Sequence, residues 1–158
     1  MANAQTMQAR DAITGSRAEC FLTIEGKRIN FMSATNIKAT FEKNKVEVPI
    51  LGRIMKGNKS VGGKGTGSAE FHYNTSIFRE LMLKYMETGE DVYFDMQITN
   101  DDPTSSIGRQ TTILKDCNID SAIMAQLNAE DEILMDEFDF TFERVQLPEK
   151  FATLEGME

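Results

Sequence analysis

Tryptophan is absent from this chain of 158 residues, histidine occurs once, cysteine twice and proline three times. Two cysteines, Cys20 and Cys117, are too few for a disulfide framework, and their separation fits no zinc or redox motif. Each lies in an apolar or strand-like stretch, which predicts a small core residue in a reducing compartment. The single histidine, His72, has no nearby cysteine or acidic ligand pair. A metal site and a histidine-assisted nucleophile both lose their support, and a structural strand histidine is expected. No apolar run reaches the roughly 18 residues of a membrane-spanning helix. The opening MANAQTMQARDAITGSR lacks the apolar centre of a secretory signal, so synthesis in a cytoplasm is expected. Positive charge is in deficit: the net charge is −8, which opposes any role in gripping phosphate backbones.

What is present suits a globular protein. Hydrophobic residues make up 41%, and the length fits one domain, residues 1–158, with a sizeable core. Residues 1–15 are expected to form a flexible N-terminal segment. Glycine is locally abundant in GNKSVGGKGTGSAEFHYN, from Gly57 to Asn74. A phosphate loop requires glycine, four free positions, then Gly-Lys and a hydroxyl residue. Aligned on Gly63-Lys64, the first position is Asn58 and the hydroxyl position is Gly65. The stretch continues into the alternating Phe71, His72 and Tyr73, a strand pattern, where phosphates would need a helix N-terminus. A dinucleotide fingerprint fails too, because Glu70 stands at its third glycine after Gly65 and Gly67.

Alternation dominates elsewhere. AECFLTI reaches a turn signal at Glu25-Gly26-Lys27, and KRINFM resumes with Ile29 and Phe31 on one face. TNIKATF places Ile37, Ala39 and Phe41 together, and DVYFDMQIT does the same for Val92, Phe94, Met96 and Ile98. The turn cluster TNDDPTSS leads to GRQTTILKDCNI. In the last strand Phe138, Phe140 and Phe142 point inward while Asp139, Thr141 and Glu143 point out. One helix is predicted, capped by Asn74, Thr75 or Ser76, striped by Phe78, Leu81, Met82 and Tyr85, and ended by Gly89. SAIMAQLNAED fits a short helix or extended chain.

Residues 44–66 remain, between strands. Unstructured connections beyond about 12–15 residues are uncommon and usually functional. This one carries Val46, Val48, Ile50, Leu51, Ile54 and Met55. Two readings follow: a hairpin folded back on its own core, or an arm docking on another subunit. Charge is segregated as well. Lys43 to Lys64 holds six bases (Lys43, Lys45, Arg53, Lys56, Lys59, Lys64) and one acid, Glu47. Ala129 to Glu143 holds seven acids (Glu130, Asp131, Glu132, Asp136, Glu137, Asp139, Glu143) and no base. Such segments suit complementary contacts between copies, or are simply solvated faces.

From Ser16 to Phe151 the chain resembles the XkdM-like tail tube proteins of PBSX-type phages and prophages, whose relatives form the inner tube of R-type bacteriocins. The resemblance is carried by KGTGS at Lys64 to Ser68, TNDDPTS with GRQT at Gly108 to Thr111, and FTFE at Phe140 to Glu143. It implies a mainly β domain, an antiparallel sandwich or small barrel with one flanking helix and a long hairpin arm. It also implies a self-assembling structural protein without enzyme activity or cofactor, forming hexameric rings stacked head to tail. Tail sheath and baseplate proteins are the implied partners, with no specific nucleic-acid binding and membrane contact only through the assembled particle. The implied location is the bacterial cytoplasm during assembly, then a virion tail or released bacteriocin. The arm of that family corresponds to Lys45 to Gly65. Its expected inter-subunit contacts are Lys45, Val46, Val48, Ile50, Leu51, Arg53, Ile54, Met55, Lys56, Lys59 and Lys64. A tube component of a type VI-like secretion system is the alternative on the same fold. A nucleotide-dependent enzyme using Gly63-Lys64 is the alternative from another class.

Overall fold

A computed structural model describes residues 5–157. The elements in chain order are β1 (Ala18–Ile24), β2 (Lys27–Asn30), β3 (Ala34–Val48), β4 (Gly57–His72), α1 (Ile77–Thr88), β5 (Phe94–Asp101), β6 (Arg109–Ala122), β7 (Met135–Phe142) and β8 (Arg144–Glu149). All the strand pairings described are antiparallel, so the fold is mainly β with one α-helix. Among the described residues no helix is long and apolar enough to cross a membrane. The chain, expected as one domain, groups into two compact units.

The first unit comprises the residues up to Met32, Tyr93–Asp116, and those from Arg144 on. β1 and β2 join through Glu25 and Gly26, both at positive φ, which gives a two-residue turn suited to the strand twist. β1 pairs β5 with Leu22 opposite Met96. The alternation buries Cys20, Leu22, Ile24, Phe94 and Met96, with Phe31 and Leu114 completing this core. Burial pushes the Cys20 thiol up to about 12, so it stays protonated as a packing group. Asp102 organises the turn after β5. Its carboxylate accepts hydrogen bonds from the Thr104 hydroxyl at 2.7 Å, the Thr14 N–H at 2.9 Å and the Thr104 N–H at 3.1 Å. These donors hold its carboxyl well below the usual carboxylate range. Asp11 accepts from the hydroxyl and N–H of Ser106, at 2.7 and 3.1 Å. Residues 1–4 of the expected N-terminal segment lie outside the described residues. Its described part carries these bonds and a 3-10 turn at Ala9–Asp11.

β8 is a strand the alternation did not reveal. It is almost wholly exposed, contains Pro148 and pairs β6, with Leu114 opposite Val145. Its apolar alternation is limited to Val145 and Leu147, both exposed, and Pro148 reads against a strand.

The second unit comprises Ser33–Val92 and Cys117–Glu143. Its strands run β6-β7-β4-β3, with β6 contributing residues from Cys117 on. Phe138, Phe140 and Phe142 are buried along β7 as their alternation predicts. Phe71 and Phe78 join them, with ring centroids 5.3 Å apart, and the Phe78 and Phe138 rings lie 4.3 Å apart. α1 starts after Ser76 and ends at Gly89, whose φ of 73° is left-handed and whose N–H bonds the Tyr85 carbonyl at 2.9 Å. Arg79 fastens the helix to β7. Its guanidinium donates to the Asp136 carboxylate at 2.5 Å and to the carbonyls of Thr75 and Ile123, and it lies over the Tyr73 ring.

Two expectations need correction in this unit. Asp136 is buried and paired with Arg79, so it is no part of an exposed acidic segment, while the other six acids of that segment are exposed. The Ile37, Ala39 and Phe41 face of β3 is not a core face throughout. Ile37 is half-buried, but Ala39 and Phe41 are exposed on what is the edge strand of the sheet.

Candidate assembly surface

Residues 44–66 form the far end of one long hairpin. β3 and β4 pair from Ala34 opposite Phe71 out to Val48 opposite Gly57. A turn of residues 49–56 closes it, with Gly52 at φ 84° and the Arg53 N–H donating to the Ile50 carbonyl at 3.2 Å. β7 pairs β4 only from His72 to Gly65. Beyond that point seven residues of β3, at about 3.4 Å each, carry the ribbon roughly 24 Å further.

A bulge lies just beyond the last β4–β7 pair. Asn44 pairs Gly62 and Lys45 pairs Ser60, leaving Val61 as the extra residue beside Gly62, whose φ of 155° disfavours a side chain. Bulges bend a strand and increase its twist. The apolar phase of β3 also changes here. Ile37, Ala39 and Phe41 occupy odd positions, whereas Val46 and Val48 occupy even ones. Since successive side chains alternate faces, the arm carries its β3 valines on the face opposite to the base of the hairpin.

Every predicted contact residue lies on this arm and is exposed. Lys45, Val46 and Val48 are on β3; Ile50, Leu51, Arg53, Ile54, Met55 and Lys56 are in the turn; Lys59 and Lys64 are on β4. Leu51 and Ile54, at 103% and 102% relative exposure, touch nothing that could shield them. The hairpin therefore does not fold its tip back on its own core. The Lys56–Glu47 pair, 3.8 Å apart and solvated on both sides, holds the tip weakly. Two further exposed apolar residues of the hairpin lie outside the expected contact set: Val61, the bulge residue, and Phe41, which shares a face with Ile37 and Ala39.

The glycines acquire a specific reason. A Cβ on Gly67 would fall 2.4 Å from the Phe140 ring and 2.9 Å from the Lys38 carbonyl oxygen. One on Gly65 would fall 2.5 Å from the Phe142 ring, and one on Gly63 2.3 Å from the Phe41 ring. These glycines leave room for aromatic rings to lie across the strand, where any side chain would collide. Gly63-Lys64 sits within β4, with no helix N-terminus after it, so phosphates would find no cradle. His72 is exposed at the end of that strand. No cluster of His, Cys, Asp or Glu among the described residues could hold a metal. What this surface can do is bury apolar side chains and pair charges.

Residues 5–149 match a family described as phage tail tube protein. The chain is 40% identical over 146 residues to phage-like element PBSX protein XkdM of Bacillus subtilis (strain 168), covering 92% of this chain and 97% of that one. The fold resembles a chain in the cryo-EM structure of the six-fold symmetrised baseplate of the anti-feeding prophage, with a TM-score of 0.61, 10% identity, and 93% and 97% of the two chains covered. A chain of the sheath–tube complex of the extracellular contractile injection system PVC is similar too, with a TM-score of 0.59, 10% identity, and 81% and 86% covered.

Proposed function

This chain belongs to the phage tail tube protein family, and on that premise we propose that it assembles into stacked hexameric rings forming the inner tube of a contractile phage tail or R-type bacteriocin. The observation that carries the reading is the uncovered arm. Leu51, Ile54, Met55, Val46 and Val61 are exposed together with Lys45, Arg53, Lys56, Lys59 and Lys64 on an element whose own fold gives them no cover. Burying each aliphatic side chain is worth about 1.5–3 kcal/mol, so a few of them seated on a neighbour drive association. A contact between an arm and a different patch on the next copy is heterologous, and such contacts generate rings where the rotation closes and filaments where it does not. The long edge strand β3 gains partners in the same step, which removes an exposed edge.

The six-fold symmetry of the similar baseplate assembly supports the ring number, and the sheath–tube complex supports a sheath as the outer partner. The role is that of a building block without catalysis, assembled in the bacterial cytoplasm and carried on the tail or released particle. Electron microscopy of the purified protein across a concentration series tests the reading. Hexameric rings or tubes are expected. A protein that stays monomeric by sedimentation at every concentration, with no rings on the grid, overturns it.

A further inference from the structure

A cavity of about 210 Å³ lies between α1 and β6 in the second unit. Leu81, Met82, Val92 and Ile119 give it an apolar lining, and Asp91 and Asp120 add carboxylates. It exceeds the roughly 150 Å³ void that holds a benzene ring, so a branched aliphatic side chain fits. Tyr85, which also lines it, is exposed, as are Leu83 and Met86 on the same helix. Asn118 is part of the wall, and its Nδ2 is buried with no hydrogen-bond partner. A buried amide donor without an acceptor is costly, and an incoming backbone carbonyl relieves it.

We propose that this cavity receives the arm tip of a second copy of the chain. The tip has the complementary chemistry. Leu51 and Ile54 are fully exposed aliphatics, flanked by Arg53 and Lys56 for the two aspartates. The Ile50 carbonyl accepts one hydrogen bond, from the Arg53 N–H, and its second lone pair suits a donor such as the Asn118 Nδ2. The tip cannot be seated in the cavity of its own chain, since Leu51 and Ile54 touch nothing there. The inference rests on the tube reading and adds the receptor that the arm requires. Apolar insertion supplies affinity, while the charges set register and exclude wrong partners.

Two single-cysteine variants test it. Ile54→Cys and Met82→Cys are purified separately, mixed, assembled and oxidised; the native Cys20 and Cys117 are buried and do not compete. A disulfide-linked dimer on a non-reducing gel is expected from the mixture and from neither variant alone. Ile54→Cys mixed with Met32→Cys, an exposed site elsewhere, should give no such band. Tubes visible by electron microscopy without the Ile54–Met82 band overturn the proposed receptor and leave the tube reading intact. Wild-type protein that forms no tubes removes both. Should the cysteine variants disturb folding, charge reversal gives a second measure. Asp91→Lys with Asp120→Lys should abolish tubes while preserving the melting transition, and adding Arg53→Glu with Lys56→Glu should restore them. Tubes that survive the aspartate reversals unchanged also overturn the proposal.

Discussion

The base and the far end of the β3–β4 hairpin are built from the same two strands, yet one end is core and the other is bare. At the base, β4 has a third strand beside it: Gly65 opposite Phe142, Gly67 opposite Phe140, Ala69 opposite Phe138. Ala69 and Phe71 are 1% exposed there. Beyond Gly65 β7 has ended, and Val46, Val61, Leu51 and Ile54 stand in solvent although their apolar content rivals that of the base. The bulge at Val61 lies just beyond that boundary, and the apolar positions of β3 move to the opposite face across it. Alternation states which residues share a face; whether other elements pack on that face decides whether it is buried. The base therefore holds the monomer together, and the far end is available to other copies.

Removing the far end tests this most severely. Replacing Val46 to Lys64 with a short Gly-Ser linker keeps every β4–β7 pair from Gly65 to His72. Tubes should disappear completely, while circular dichroism still records a cooperative melt, because a shorter loop closes without a large entropic cost. Normal tubes from this variant would remove the arm from the mechanism. Loss of folding would show that the arm serves its own core. At the base the outcome should reverse: Phe140→Ala empties a fully buried site and should cost about 3–5 kcal/mol in denaturant unfolding. Thr141→Ala, on the opposite face, should be much milder, and equal losses would mean that the register is wrong.

Much of this division is legible in the sequence. The Phe138, Phe140, Phe142 alternation, the Glu25-Gly26 turn and the helix ending at Gly89 are local signals, and the structure keeps them all. The arm is legible as apolar and basic residues in a glycine-rich stretch too long for a loop. Hidden features depend on register between distant strands. Asn58 and Gly65 exclude a phosphate loop on sequence alone, but the reason for Gly63, Gly65 and Gly67 appears only once the rings of Phe41, Phe142 and Phe140 are placed across them. Asp136 looks like one solvated acid among seven until Arg79, 57 residues away, is brought to it. The cavity at Asn118 needs both α1 and β6 in place, which no periodicity encodes.

A smaller effect separates glycine as close-contact residue from glycine as turn residue. Gly67→Ala at the base forces a methyl group against the Phe140 ring and the Lys38 carbonyl, and overpacking of this kind costs about 1–3 kcal/mol. Gly52→Ala at the tip meets nothing within 4 Å and suffers only from its φ of 84°. Thermal melts should therefore show the larger loss for Gly67→Ala. Equal shifts would mean that the ring moves aside freely.

The smallest expected effect comes from the arm's charges. Lys56→Glu with Lys59→Glu leaves the apolar tip intact and reverses two exposed charges on residues that β7 does not reach. Each solvated pair is worth roughly 0.2–1 kcal/mol, so monomer melting should barely change. Assembly should nevertheless slow, since reversed charges facing the proposed acidic receptor turn steering into repulsion. Screening then provides the diagnostic. At 0.1–0.15 M ionic strength charges are screened over about 8–10 Å, and at 1 M over about 3 Å. Wild type and variant should accordingly form tubes at clearly different rates in dilute buffer and at converging rates as salt rises, followed by light scattering with microscopy of the products. A difference that persists undiminished at high salt would place these lysines in packing contacts, where their aliphatic stems and not their charges make the interface.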